Sequence, residues 1–133
     1  QFYRFESKEE YLLYFCGKIA GLCDTCRFYK NVQIMAPFLE RPIRIKYLVA
    51  LPNDNGIILD ASLKDTELQR KAKELKYCFE IATEQNKSDL NIKYPILLTL
   101  NLGTDTTELE NNYKIRIMTL NEAIAFIEAI VNA

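Results

Sequence analysis

Asp60 closes the apolar run Gly56-Ile57-Ile58-Leu59, and Ser62, Lys64 and an amphipathic helix follow it. A carboxylate at the end of a buried strand, just ahead of a helix, is a placement from which charge-based chemistry is built. Residue types exclude much else. The chain has no His, so Ser-His-Asp and Cys-His nucleophilic systems cannot be assembled within it. Neither kind of Gly-rich phosphate loop occurs among its four glycines. What remains is carboxylate and lysine chemistry: carboxylates holding a divalent ion that polarises a phosphate and generates hydroxide, with a lysine offsetting the extra negative charge. The plainer alternative for Asp60 is a strand-end carboxylate that serves the start of the next helix through its dipole.

The elements that must position these groups are legible from caps and periodicity. Ser7-x-x-Glu10, Thr66-x-x-Gln69 and Thr119-x-x-Glu122 each place a hydroxyl ahead of an apolar stripe, with a side chain three residues on that can reach back. The first helix is expected from Lys8 to the mid-20s, burying Leu12, Phe15, Cys16, Ile19, Cys23 and Cys26. A loop through Pro37 and Pro42 leads to a strand over Ile43 to Leu51, the turn Pro52-Asn53-Asp54-Asn55-Gly56, and a strand over Ile57 to Leu63. A central helix over Glu67 to Glu84 buries Leu68, Ala72, Leu75, Phe79 and Ala82. Tyr94 to Leu102 reads as a strand covered on both faces, because its apolar residues are continuous. A polar loop from Gly103 to Asn112, a strand over Tyr113 to Met118 and a helix over Asn121 to Val131 complete the chain. The expected class is α/β, a mixed central sheet flanked by helices, in the order α-β-β-α-β-β-α.

Charge is unevenly spread. Residues 1–50 hold eight Lys/Arg against five Asp/Glu, and residues 51–133 hold nine against thirteen. Arg27, Lys30, Arg41, Arg44 and Lys46 are interleaved with Phe28, Tyr29, Phe38 and Tyr47, and only Glu40 opposes them over residues 27–46. Cations that neutralise phosphates beside rings that pack on sugar or base make this a candidate DNA-facing strip. A solvated loop with anchoring aromatics is the alternative.

The four cysteines, Cys16, Cys23, Cys26 and Cys78, include one C-x-x-C pair. Without His or a second pair, a zinc or iron-sulfur set is a poor fit, and buried free thiols account for the three on the first helix. At 133 residues and 49% hydrophobic content the chain reads as one domain. Its start at Gln1 is consistent with excision from something longer. No apolar stretch is long enough for a membrane span, and Gln1 to Glu6 lack the order of a signal peptide, so a cytoplasmic location is expected.

Gly56 to Lys64, followed by a helix, then Pro95 to Leu100, then Ile115 to Ala123, resembles the core of the PD-(D/E)xK nucleases. The likeness is greatest to the cleavage domains of type IIS restriction endonucleases and their nicking relatives. It covers roughly Arg41 to Ala133, and the preceding helix fits that fold's first helix. The resemblance implies a Mg2+-dependent DNA endonuclease acting on double-stranded DNA, and leaves room for a homodimer or a partner domain. Asp60 matches the acid of the half-motif. Ser62 stands where most members have lysine, Glu74 is the nearest equivalent of a glutamate that some relatives add from the next helix, and Lys64 supplies a displaced ammonium. Asp60 and Glu74 are then the expected metal ligands, with Glu10 and Asp54 as other candidates to complete the set. In the family an Asp also stands on the first hairpin strand, where this chain has Ile43 or Tyr47. Two other readings accompany this one: a catalytically silent nuclease-like domain that binds DNA or protein, and a profilin-like interaction module of the roadblock type. Topology separates them. The nuclease fold needs a crossover that lays Ile96 to Leu100 beside the hairpin, and the roadblock type continues as an antiparallel meander.

Overall fold

A computed structural model describes residues 5–100, 103 and 105–132. In chain order the elements are α1 (Lys8–Leu22), β1 (Arg27–Ile34), β2 (Ile43–Ala50), β3 (Asn55–Ser62), α2 (Leu68–Gln85), β4 (Asn91–Thr99), α3 (Thr107–Tyr113), β5 (Arg116–Thr119) and α4 (Leu120–Val131). A short 3-10 turn, Asp65–Glu67, leads into α2. The class is the expected α/β, a five-stranded mixed sheet between helices, but the order is α-β-β-β-α-β-α-β-α.

Two elements escape the sequence reading for the same reason: neither buries a side chain completely. β1 alternates half-buried Phe28, Val32 and Ile34 with exposed charged and polar residues, as an edge strand does. Its ladder to β2 skips Asn31, whose φ of 55° lies in the left-handed region that Asn tolerates. α3 is seven residues long with no buried residue, and it ends at Lys114 in the same left-handed region. The strand expected over Tyr94 to Leu102 starts earlier and ends at Thr99; Asn101 and Leu102 lie outside the described residues.

The sheet runs β1-β2-β3-β4-β5. β1, β2 and β3 form an antiparallel meander, whereas β4 lies parallel to β3 and β5 parallel to β4. The β2–β3 turn is built by Pro52 and by Asp54 at φ 66°, with the Asp54 amide donating to the Leu51 carbonyl at 3.0 Å. A residue in the left-handed region after such a turn closes a short hairpin. The connection β3–α2–β4 is the crossover that makes the two strands parallel.

β3 shows how the core is divided. Ile57, Leu59 and Ala61 pack with Leu12, Phe15 and Ile19 of α1 and Ala123 and Ile127 of α4. Ile58 packs on the other face with Leu68, Ala72 and Leu75 of α2. Each such fully buried aliphatic side chain contributes about 1.5–3 kcal/mol. Because strand side chains alternate, Asp60 and Ser62 continue the face that begins at Ile58. They emerge where that face runs beyond the apolar cluster.

The caps fix the ends of the helices. Ser7 Oγ accepts from the Glu10 amide at 3.2 Å, and Glu10 accepts from the Glu6 amide at 3.3 Å. Thr119 and Glu122 form a complete capping box at α4. Thr66 does not cap α2: the 3-10 turn takes up Asp65–Glu67, and the helix begins at Leu68 with no side-chain cap. No helix among the described residues is long and apolar enough to cross a membrane.

Candidate functional site

The parallel strands β3, β4 and β5 end together at Ser62, Thr99 and Thr119. At this edge the sheet changes from antiparallel to parallel pairing, and in open α/β sheets such carboxyl ends are where ligands bind. The starts of α1 and α2 converge on it. Tyr11, in the first turn of α1, donates from its hydroxyl to the Thr99 carbonyl at 2.6 Å, which ties the helix start to the strand end.

Asp60 is 9% exposed. Its Oδ1 accepts from the Ala61 amide at 2.8 Å and lies 3.5 Å from Lys8 Nζ. Lys8 is the first residue of α1, where a cation opposes the helix dipole, and Asp60 compensates it. Continuing the pairing of Tyr47 with Leu59 by one step sets Lys46 across the ladder from Asp60. The β2 residue across from Asp60 is therefore Lys46, and Tyr47 faces Leu59 one step along. Ile43 begins β2 at the same end of the strand as Lys46, opposite Ile34 on β1.

Lys8, Arg44, Lys46, Asp60 and Glu74 line one cavity of about 190 Å³, floored by Ile58, Leu59 and Leu75. An adjoining cleft of about 290 Å³ shares Lys8 and adds Lys64, Lys71, Glu6 and Glu67. Lys71 is 8% exposed despite its charge. Burial lowers the pKa of Lys71, and a hydrogen bond with Lys8 lowers it further. Lys8 shifts the other way: burial opposes its charge, but the bond with Lys71 and the charge of Asp60 raise its pKa overall. Burial, then the charges of Lys8 and Arg44, lower Lys46. Cys78 also lines the cavity, and burial followed by the Asp60 charge pushes its thiol up to about 11.

The sequence-derived candidates separate. Asp60 and Glu74 share the cavity, but Glu74 is exposed and bonded to Arg70 at 3.0 Å. Lys64 is exposed in the adjoining cleft, and its carbonyl accepts from Ser62 Oγ at 2.8 Å. Glu10 is engaged in the α1 cap, and Asp54 lies in the hairpin turn at the other end of the sheet. Of the basic strip, Arg44 and Lys46 line the cavity with Asp60, and Lys46 Nζ lies 4.0 Å from Glu9 Oε1. Arg27 pairs with Ala50 at the far end of β2, Lys30 lies 6.0 Å from the Tyr47 ring centroid, and Arg41 is exposed in the β1–β2 connection.

Two contributing residues, Lys8 and Lys71, were not expected. Lys71 had a signal: it falls three residues after Leu68 and four before Leu75, on the stripe that α2 buries. Lys8 had only its position next to a cap.

Among the described residues no three His, Cys, Asp or Glu side chains stand together as a metal-binding group. Two carboxylates, each already facing a cation, are a poor donor set for Mg2+. No family model, no curated protein and no solved structure matches the chain.

Proposed function

We propose that this is a restriction-endonuclease-like domain that grips the phosphate backbone of double-stranded DNA at the carboxyl ends of its parallel strands. The observation that carries this reading is the cation set around one buried carboxylate: Lys8, Arg44 and Lys46 in the cavity, and Lys71 beside Lys8. Across the two clefts Lys8, Arg44, Lys46, Lys64 and Lys71 face Glu6, Asp60, Glu67 and Glu74, five cations against four carboxylates, and phosphate oxygens can take donors that these carboxylates leave. Two clefts joined through Lys8 suit consecutive phosphates of a strand better than one small anion. The start of α2, which has no side-chain cap, points the positive end of its dipole at the same edge. One feature of the nuclease resemblance supports the reading: the crossover after β3 that brings β4 parallel to it, although β1 and α3 are additional to the order that resemblance implies. That crossover differs from the antiparallel continuation of a roadblock module.

Metal-dependent cleavage is the second reading, favoured by one observation: Asp60 and Glu74 line the same cavity. The Asp60→Asn variant separates the two. Backbone gripping predicts that removing this negative charge tightens binding of a duplex oligonucleotide, with no plasmid cutting by either protein in Mg2+ or Mn2+. Cutting by the parent protein that Asp60→Asn abolishes would establish the second reading. Absence of duplex binding at low salt would remove the first.

A further inference from the structure

The end of α1 away from Lys8 carries a second cluster with its own chemistry. α1 stops at Leu22, the Cys23 amide caps it by donating to the Ile19 carbonyl at 2.9 Å, and residues 24–25 turn the chain so that Cys26 immediately precedes β1. The turn brings the two thiols within hydrogen-bonding reach of each other. Cys23 Sγ also lies 3.2 Å from Thr25 Oγ1. Cys16 belongs to the same apolar cluster, but it is held inside the helix.

We propose that Cys23 and Cys26 form a dithiol–disulfide couple at the α1–β1 junction, with Cys23 attacking and Cys26 resolving. Cys23 is 9% exposed and lines a small cleft of about 30 Å³ between the ends of α1 and α4. The thiols are unequal in the sense that this division needs. Hydrogen bonds from Thr25 and then Cys26 hold Cys23 below the usual thiol range, whereas burial pushes Cys26 up to about 12. The thiolate is the nucleophile in such exchange.

The co-reactant is a low-molecular-weight disulfide. Cys23 thiolate attacks one of its sulfurs, forming a mixed disulfide and releasing one thiolate. Cys26 then gives its proton to solvent and attacks Cys23 Sγ, which closes the Cys23–Cys26 bond and releases the second thiolate. Two electrons pass from the protein dithiol to the small disulfide, and the two protons lost by the cysteines end on the released thiols. The site lies outside the Asp60 cavity and does not depend on DNA binding.

Glutathione disulfide is the probe. The folded full chain is treated with it, alkylated, digested and mapped by mass spectrometry. Two of the four thiols should be lost, joined as Cys23–Cys26, and Cys26→Ser should instead accumulate one glutathione on Cys23. Four free thiols in the treated parent protein, a link that includes Cys16 or Cys78, or glutathione settling on Cys26 would each overturn the assignment. The parent protein alone gives the decisive reading, so a variant that folds poorly does not blunt the test.

Discussion

Two basic regions of this molecule behave differently. Arg27, Lys30 and Arg41 are close in sequence, yet they sit at separate places: one at the far end of the β1–β2 ladder, one above the Tyr47 ring and one in a connection. Lys8, Lys46 and Lys71 come from α1, β2 and α2 and meet around Asp60. Clustering along a strand disperses charge, because successive side chains point to opposite faces. Convergence requires separate elements to end at one edge. The convergent lysines are also partly desolvated, so their interactions are screened less than those of the exposed strip.

The largest effect expected from breaking this comparison is on stability. Asp60→Asn keeps an oxygen for the Ala61 amide but removes the buried carboxylate nearest Lys8, leaving Glu9 and Glu74 as the anions facing Lys8, Lys46 and Lys71. It should cost about 1–2 kcal/mol in urea unfolding, since a buried charge that loses its partner is left uncompensated. The matching change in the dispersed region, Arg41→Gln, should stay within about 0.5 kcal/mol.

Next in size is DNA affinity. The double variant Lys8→Gln/Lys46→Gln should weaken duplex binding about tenfold near physiological salt. It should also flatten the slope of log K against log salt by about 1.8, two phosphate contacts' worth. Arg27→Gln/Arg41→Gln should change the affinity by less than about twofold, because these side chains do not reach the cavity. Equal losses from both pairs, read by fluorescence anisotropy, would erase the distinction between the regions.

The smallest effect is pH-dependent and tells the two regions apart without mutation. Lys46 and Lys71 have pKa values below 10.5 in the folded protein, so they lose charge first as pH rises toward that value, while Lys8 keeps its proton. DNA affinity should therefore decline at alkaline pH below 10.5, and Lys46→Gln/Lys71→Gln should remove that decline. Stability moves the other way in the same window. The unfolded chain binds more protons than the folded one there, so these two lysines make unfolding less favourable as pH rises. A parallel fall in affinity and in the contribution of these lysines to stability would contradict the assignment.

Much of the frame was legible before the structure. The stripes on α1 as far as Ile19, on α2 and on α4, the hairpin around Pro52 and Asp54, and the caps at Ser7 and Thr119 follow from local rules that a few neighbouring residues satisfy, whereas Cys23 and Cys26, expected on the α1 stripe, lie beyond the end of that helix and Phe79 is only partly buried. β1 and α3 were not, since an edge strand and a short surface helix bury too little to impose a period. The cap expected at Thr66 gave way to a 3-10 turn that nothing in Thr66-x-x-Gln69 announces.

For the candidate site, the sequence by itself determined that Asp60 closes an apolar run in a buried strand and that no His is present. Only the tertiary structure decided which lysines stand beside Asp60. Lys64 is four residues from Asp60 and turns into the adjoining cleft, whereas Lys8 is 52 positions away and comes within 3.5 Å of it. The parallel crossover and the docking of α1 on Thr99 bring α1, β2, β3 and α2 to one edge. Proximity along a chain fixes only the next turn of backbone; which charges share a site is set by where separately folded elements stop.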